Sequence, residues 1–216
     1  ITREEIEQRQ AQSLQELLRG ELGIDITNQG GQGKISNIFM RGSESNHTLI
    51  LVDGIRLGSA TDGTTRIEYI PVDQIERIEI IRGPRSSLYG SDAMGGVIQI
   101  FTRRNAAITA VAGTDEHATH NFSYGFGGQK ENLNFSINAS YIQSDGFNSN
   151  NNLGQSDTDG YQNISASTRL SYKLGNSASI EFNDLYTKAY TEIDNWGTNQ
   201  VKSINSTPNI KLNIYP

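Results

Sequence analysis

Two grammars of apolar and polar positions follow one another along the chain, and the change falls near residue 105. In the first hundred residues, short apolar runs are separated by turn chemistry. "TREEIEQRQAQSLQELLRG" (Thr2–Gly20) predicts two short helices, because Thr2 with Glu5 and Ser13 with Glu16 have capping-box spacing. Leu14, Leu17 and Leu18 form the apolar stripe of the second, and Gly20 or Gly23 ends it. "GIDITNQGGQGKISNIFMRG" predicts a strand, a glycine-rich loop at Gly30–Gly33 and a second strand ending at Arg41–Gly42. "HTLILVDGIRLG" predicts a hairpin turning at Asp53–Gly54. "IPVDQIERIEIIRGP" predicts a turn or short helix, a strand through Ile78, Ile80 and Ile81, and a sharp turn at Arg82-Gly83-Pro84. A last strand is expected at Val97–Phe101.

Beyond residue 105 the period becomes two. Leu133, Phe135, Ile137, Ala139 and Tyr141 share one face of "ENLNFSINASYIQ", and Asn132, Asn134, Ser136, Asn138 and Ser140 share the other. "YQNISASTRLSY" repeats the pattern, with Ile164, Ala166, Thr168, Leu170 and Tyr172 opposite Asn163, Ser165, Ser167, Arg169 and Ser171. Further strands are expected at 106–112, 118–127, 177–190 and near 210–215. Six strands of roughly ten residues fit a membrane β-barrel, and they fit equally a soluble antiparallel sheet with one wet face. Tyr141, Tyr161, Tyr172 and Tyr190, near strand ends, tilt the reading toward the barrel, where aromatics form interfacial girdles.

Length and charge narrow the picture. The 216 residues suit one large domain or two small ones. Net charge is −6, which argues against a nucleic-acid partner. Residues 1–104 carry 12 basic and 14 acidic residues; residues 105–216 carry 6 and 10, with 17 asparagines. Cysteine is absent, so disulfides and thiolate metal sites are excluded. No run approaches eighteen apolar residues, so no transmembrane helix is expected, which leaves a barrel open.

Enzymatic chemistry finds no footing. Gly30–Gly33 with Lys34 lacks the spacing of a phosphate loop. His117 and His120 are three apart in a strand or loop context, which does not put them on one face, and His47 is the only other histidine. No Gly-x-Ser-x-Gly elbow occurs. The sharpest chemical feature is the loop "SDGFNSNNNLGQSDTDGYQN". Asp145, Asp157 and Asp159, amid amides, are donors of the type Ca²⁺ prefers, although the glutamate that closes an EF-hand is missing. A solvated turn around Asp159–Gly160 is the plainer reading.

"IERIEIIRGPRSSLYGSDAMGGVIQI" resembles the end of the plug domain in TonB-dependent outer-membrane receptors. "LQELLRGELGIDI", "IFMRG" and "LILVDGIRL" resemble earlier plug blocks in the same order, and the wording is similar to that of cobalamin-transporting members. The resemblance implies an α+β plug domain at 1–104, followed at 105–216 by antiparallel transmembrane β-barrel strands. These would be part of a barrel of about twenty-two strands in the bacterial outer membrane. It implies TonB-dependent uptake of a bulky nutrient: cobalamin first, a ferric siderophore or haem as the runner-up. A passive or adhesive surface barrel is the alternative of a different class. The implied partners are the TonB complex of the inner membrane and outer-membrane lipid. No TonB box precedes Ile1 and six strands cannot surround such a plug, so the chain is expected to be a portion of a longer receptor or one piece of a split one.

The same resemblance assigns candidate residues. Plug loops at Ser59, Thr61, Asp62, Thr64, Ser86, Ser87 and Tyr89, with "NQGG", would face substrate. Arg41, Arg82 and Arg85 would meet acidic residues of the barrel wall. "SDTDG" resembles a calcium motif of the cobalamin-transporting members, with Asp184 and Asp194 as partner acids to Asp145, Asp157 and Asp159. Calcium would then order the loops that grip substrate.

Overall fold

A computed structural model describes residues 1–57, 65–103, 109–114, 119–148, 158–193 and 200–215. The chain divides into two units, Ile1–Thr102 and Arg103–Pro216.

The first unit begins with α1 (Arg3–Arg9), closed by the capping box its sequence predicts. Thr2 Oγ1 accepts from Glu5 N, and the Glu5 carboxylate accepts from Thr2 N at 2.7 Å. In α2 (Leu14–Leu18), Ser13 caps Glu16 N in the same way, but the Glu16 carboxylate reaches back to Gln12 N at 2.8 Å instead of to Ser13. Leu14, Leu17 and Leu18 are buried, as the stripe predicts. β1 (Ile24–Asn28) and β2 (Ser36–Met40) form an antiparallel pair.

A second sheet contains β3 (Thr48–Val52), β4 (Ile55–Leu57), β5 (Ile75–Arg82) and, after the short helix α3 (Ser86–Tyr89), β6 (Gly96–Thr102), in the order β4-β3-β6-β5. β3 and β6 run parallel at its centre, and β3 is buried at all five positions, which is why "TLILV" shows no alternation. The β3–β4 turn has Asp53 and Gly54 both left-handed, at φ 50° and 82°. Asp53 does more than turn. Its carboxylate accepts from Thr102 N at 3.2 Å and Thr102 Oγ1 at 2.6 Å, and its own N–H donates to Ile100 O, so the turn clips the end of β6. Leu49, Leu51, Ala93 and Val97 form a buried cluster against Ile81. Gly96 is required by close approach, since a Cβ there would lie 2.5 Å from Ile81 O and 2.7 Å from Met40 Cε.

The second unit is one antiparallel sheet: β7 (Thr109–Thr114), β8 (His120–Lys130), β9 (Leu133–Ser144), β10 (Tyr161–Leu174), β11 (Ala178–Glu192), β12 (Gln200–Ser206) and β13 (Asn209–Ile214). β12 and β13 both pair with β11, and the register carries straight through from Tyr186↔Ser206 to Phe182↔Ile210. They are one stave interrupted at Thr207–Pro208, where proline lacks the N–H a ladder needs. Six staves result among the described residues, as the period-two segments predict, but the last begins at Gln200 and not near 210. Connections alternate in length. A two-residue turn joins β8 to β9 with Glu131 left-handed, and three residues join β10 to β11, whereas residues 145–160 and 193–199 connect the opposite ends. Short turns at one end and long loops at the other are the pattern of outer-membrane barrels.

Burial settles what alternation left open. The polar face is the covered one: Asn163 and Ser165 are each 1% exposed, Ser140 5% and Asn183 2%. The apolar face is open, with Ile164 at 44%, Leu170 at 40% and Leu212 at 62%. A soluble sheet buries the opposite set, because water rewards apolar burial. The covered polar groups bond one another across strands: Ser140 to Ser165 at 2.7 Å, Asn138 to Ser167 at 3.3 Å and Thr119 to Ser144 at 2.8 Å. Those bonds offset the cost of burying polar groups. β10 has 14 residues, so it is about 46 Å long and, tilted by about 45°, rises roughly 33 Å, enough to cross a ~30 Å hydrocarbon layer. Strand length, loop asymmetry and inverted faces together define membrane-barrel strands.

Candidate functional site at the long-loop rim

At the long-loop end, Ser144, Tyr161 and Thr191 stand side by side in register, and Glu192 stands opposite Gln200. They border a cleft of about 620 Å³ whose walls include Asp145, Thr158, Tyr161, Gln162, Tyr190 and Glu192. The two ends of the 145–160 loop cross here. Gly146 is left-handed at φ +65°, and a Cβ on it would fall 2.0 Å from Asp159 O, so no larger residue fits the crossing. Asp159 N donates to Phe147 O, and Gly146 N donates to Ser144 Oγ at 3.2 Å.

Glu192 closes the crossing. Its Oε2 accepts from Gly160 N at 2.9 Å, its own N–H donates to Gly160 O, and its Oε1 accepts from Gln200 Nε2 at 3.3 Å. The sequence reading passed over this residue. Its position at the last pair of β11, opposite a glycine that follows an aspartate turn, was the available signal.

Of the predicted calcium donors, Asp145 and Asp159 meet at this crossing, Asp145 exposed and Asp159 buried. Asp157 and Asp194 lie outside the described residues. Asp184 is not brought to the rim. It sits in mid-β11 opposite Thr168, seven residues from Thr191 and therefore about 23 Å along the strand. Its carboxylate accepts from Ser206 Oγ at 3.0 Å and Thr207 N at 3.0 Å, filling the gap in the ladder at Pro208. Among the described residues, no three histidine, aspartate or glutamate side chains converge as a metal site would require.

In the first unit, Ser59, Thr61, Asp62 and Thr64 lie outside the described residues. Ser86 opens α3; Ser87 and Tyr89 are exposed on it beside Leu88, with Met94 exposed shortly after. Arg82 is engaged within its own unit, where Nε donates to Leu22 O at 2.6 Å and Nη2 pairs with Glu21, which also holds Arg9. Arg41 is left-handed at φ 53°, and its guanidinium lies over Gly83, where a Cβ would be 3.3 Å from Nη1. Arg85 anchors the α3 turn through its backbone, donating to Ala93 O and accepting from Leu88 and Tyr89, with its side chain exposed.

A buried acid was also missed. Glu68 sits in a 3-10 turn (Ile67–Tyr69) with its side chain fully covered and Arg66 Nη1 at 3.7 Å. Burial pushes its pKa up to about 7, against the opposing pull of backbone amides and Arg66. A glutamate flanked by Ile67, Tyr69 and Ile70 was the sequence signal.

The fold and rim define a class. Residues 1–97 match the model of the TonB-dependent Receptor Plug Domain, so the first unit carries a plug domain of that type. Its nearer likenesses narrow this. The chain is 38% identical to the Vitamin B12 transporter BtuB of Vibrio vulnificus (strain YJ016), over 85% of this chain and 30% of that protein. It is 50% identical to the Vitamin B12 transporter BtuB of Vibrio cholerae serotype O1 over 48% of this chain and 17% of that protein. Among solved structures, a mutant ferric enterobactin receptor PfeA from Pseudomonas aeruginosa superposes with TM-score 0.70 at 26% identity, over 88% of this chain and 33% of that one. The ferric yersiniabactin uptake receptor FyuA from Yersinia pestis shares the fold at TM-score 0.73 and 19% identity, over 98% of this chain and 37% of that one. The chain thus spans about a third of the length of the relatives it matches.

Proposed function

We propose that the chain supplies the plug and first staves of a bacterial outer-membrane receptor that takes up cobalamin, energised through a TonB-type inner-membrane complex. The observation that carries the substrate is the likeness to Vitamin B12 transporters, which extends through both units at 38% identity. Open apolar faces on strands long enough to cross a bilayer support the membrane location. A ferric siderophore is the second reading, favoured by the 26% identity to the ferric enterobactin receptor.

In this reading, exposed Ser87 and Tyr89 contact substrate. Arg41, Arg82 and Arg85 are all exposed, but the Arg82 guanidinium is already held by Glu21 and Leu22 O, so Arg41 and Arg85 are the better candidates to meet carboxylates of a barrel wall. Asp145 and Asp159 are the described side chains suited to calcium, as hard oxygen donors at one loop crossing; Asp157 and Asp194 would join them, and Asp184 would not. Bound calcium would relieve repulsion among these carboxylates and order the loop.

Calorimetry of the complete receptor with cyanocobalamin and with ferric enterobactin, in calcium and in chelator, tests the assignment. Cyanocobalamin binding that tightens with calcium is expected. Binding of the siderophore alone would replace the substrate assignment, and equal cyanocobalamin affinity in both buffers would remove calcium.

A further inference from the structure

We propose that Lys188, Tyr190 and Lys202 form a binding site on the apolar face of the barrel strands for the net-anionic phosphate headgroup of a membrane lipid. This rests on the membrane-spanning reading above and adds a site to it. Lys188 and Tyr190 are two apart on β11, so they share a face, and Lys202 stands directly opposite Tyr190 on β12. Both ammonium groups converge on one ring: Lys188 Nζ is 5.4 Å from the Tyr190 centroid and Lys202 Nζ 5.8 Å.

Their height in the sheet matters. Lys188 is level with Ile204 and Ile164, the first apolar side chains of the open face. Toward the short turns, that face continues through Leu170, Phe182, Ile210 and Leu212. Toward the long loops it turns polar: Gln162 pairs with Tyr190 in register and donates to Tyr141 Oη at 2.9 Å, and Tyr141 donates to Gln143 at 2.7 Å. A belt of amides and phenols directly above an apolar band is the level at which lipid headgroups lie.

The charge there is unbalanced on the protein side. Glu192, on the same face, is committed to Gly160 N and Gln200. Asp184 lies four residues deeper than Lys188 and is committed to Ser206 and Thr207. Among the described residues, no carboxylate stands within ion-pair distance of either lysine. Two like charges gathered at one ring repel, and an anion between them reverses the sign of that interaction. Lysine binds phosphate as a compact point charge, and clustered lysines at a membrane surface select anionic headgroups. The adjoining cleft, bordered by Gln143, Gln162 and Glu192, leaves room for the headgroup above the acyl chains.

The complete receptor, inserted in lipid nanodiscs or held in detergent, is titrated with short-chain phosphatidic acid, with phosphatidylcholine and with inorganic phosphate, and bound molecules are counted by native mass spectrometry. Phosphatidic acid should bind more tightly than phosphatidylcholine. The Lys188→Gln/Lys202→Gln double variant should weaken phosphatidic acid about tenfold or more, with phosphatidylcholine unaffected. The Lys188→Arg/Lys202→Arg variant, which keeps charge and fold, should retain tight binding. Undiminished binding to the glutamine variant, loss in the arginine variant, equal binding of the two lipids, or displacement of lipid by equimolar phosphate would each overturn the site. Failure to insert into nanodiscs would overturn the membrane reading along with it, whereas insertion without headgroup preference removes the site alone.

Discussion

Replacing Leu170 by arginine separates the two kinds of sheet that alternation allows. Leu170 is on the open face, nine residues from Tyr161 at the long-loop end of β10 and four from Leu174 at the other. With a rise of about 3.3 Å per residue and a tilt of about 45°, it lies roughly 21 Å below one end and 9 Å above the other. That depth falls within the hydrocarbon layer, between the midplane, where arginine costs about 2–4 kcal/mol, and the interface, where it costs 0–1. The expected loss is therefore about 2 kcal/mol, or close to a thirtyfold shift in the folding equilibrium. On a water-facing strand, a leucine left 40% exposed would tolerate arginine within about 0.5 kcal/mol. The assay is urea-dependent folding of the complete receptor into phosphatidylcholine vesicles, followed by heat-modifiable gel mobility and by tryptophan emission. A loss under 0.5 kcal/mol would refute the assignment of this face to lipid.

Three further outcomes follow from the geometry. Gly146→Ala places a methyl 2.0 Å from Asp159 O at φ +65°, so it should open the loop crossing, and limited proteolysis should cleave the 145–160 loop several times faster than in the parent. Asp53→Ala removes two acceptor bonds to buried Thr102 and should lower plug stability by about 2–3 kcal/mol in chemical denaturation, while Asp53→Asn, which tolerates the left-handed turn, should cost less. Glu68 has a folded pKa of about 7, above its unfolded value, so the folded state holds its proton more tightly. The stability this contributes is present at low pH and is lost as pH rises through 7, by up to roughly 3 kcal/mol. Glu68→Gln should flatten that slope in thermal unfolding between pH 5 and 8, and an unchanged slope would show that Glu68 is not its source.

Local chemistry was legible wherever it acts over a few residues. The Thr2–Glu5 capping box, the Ser13 cap, the Asp53–Gly54 turn, the leucine stripe of α2 and the alternation of β9 and β10 all depend on neighbours within a turn or a pleat, and each is present where its residues predict. Alternation also divided residues correctly between two faces, since side-chain period in a strand is set by backbone geometry. What it lacked was the sign: whether leucine or serine turns inward depends on what surrounds the sheet, and only burial of Ser165 beside open Ile164 supplied it. The parallel pairing of β3 with β6, the pairing of Arg82 with Glu21, and the removal of Asp184 from the rim to the proline gap join residues from 23 to 61 positions apart. Spacing carries no trace of such contacts. They arise when elements pack, and there the chain's hydrogen-bonding and steric demands are met by whichever distant partner the fold delivers.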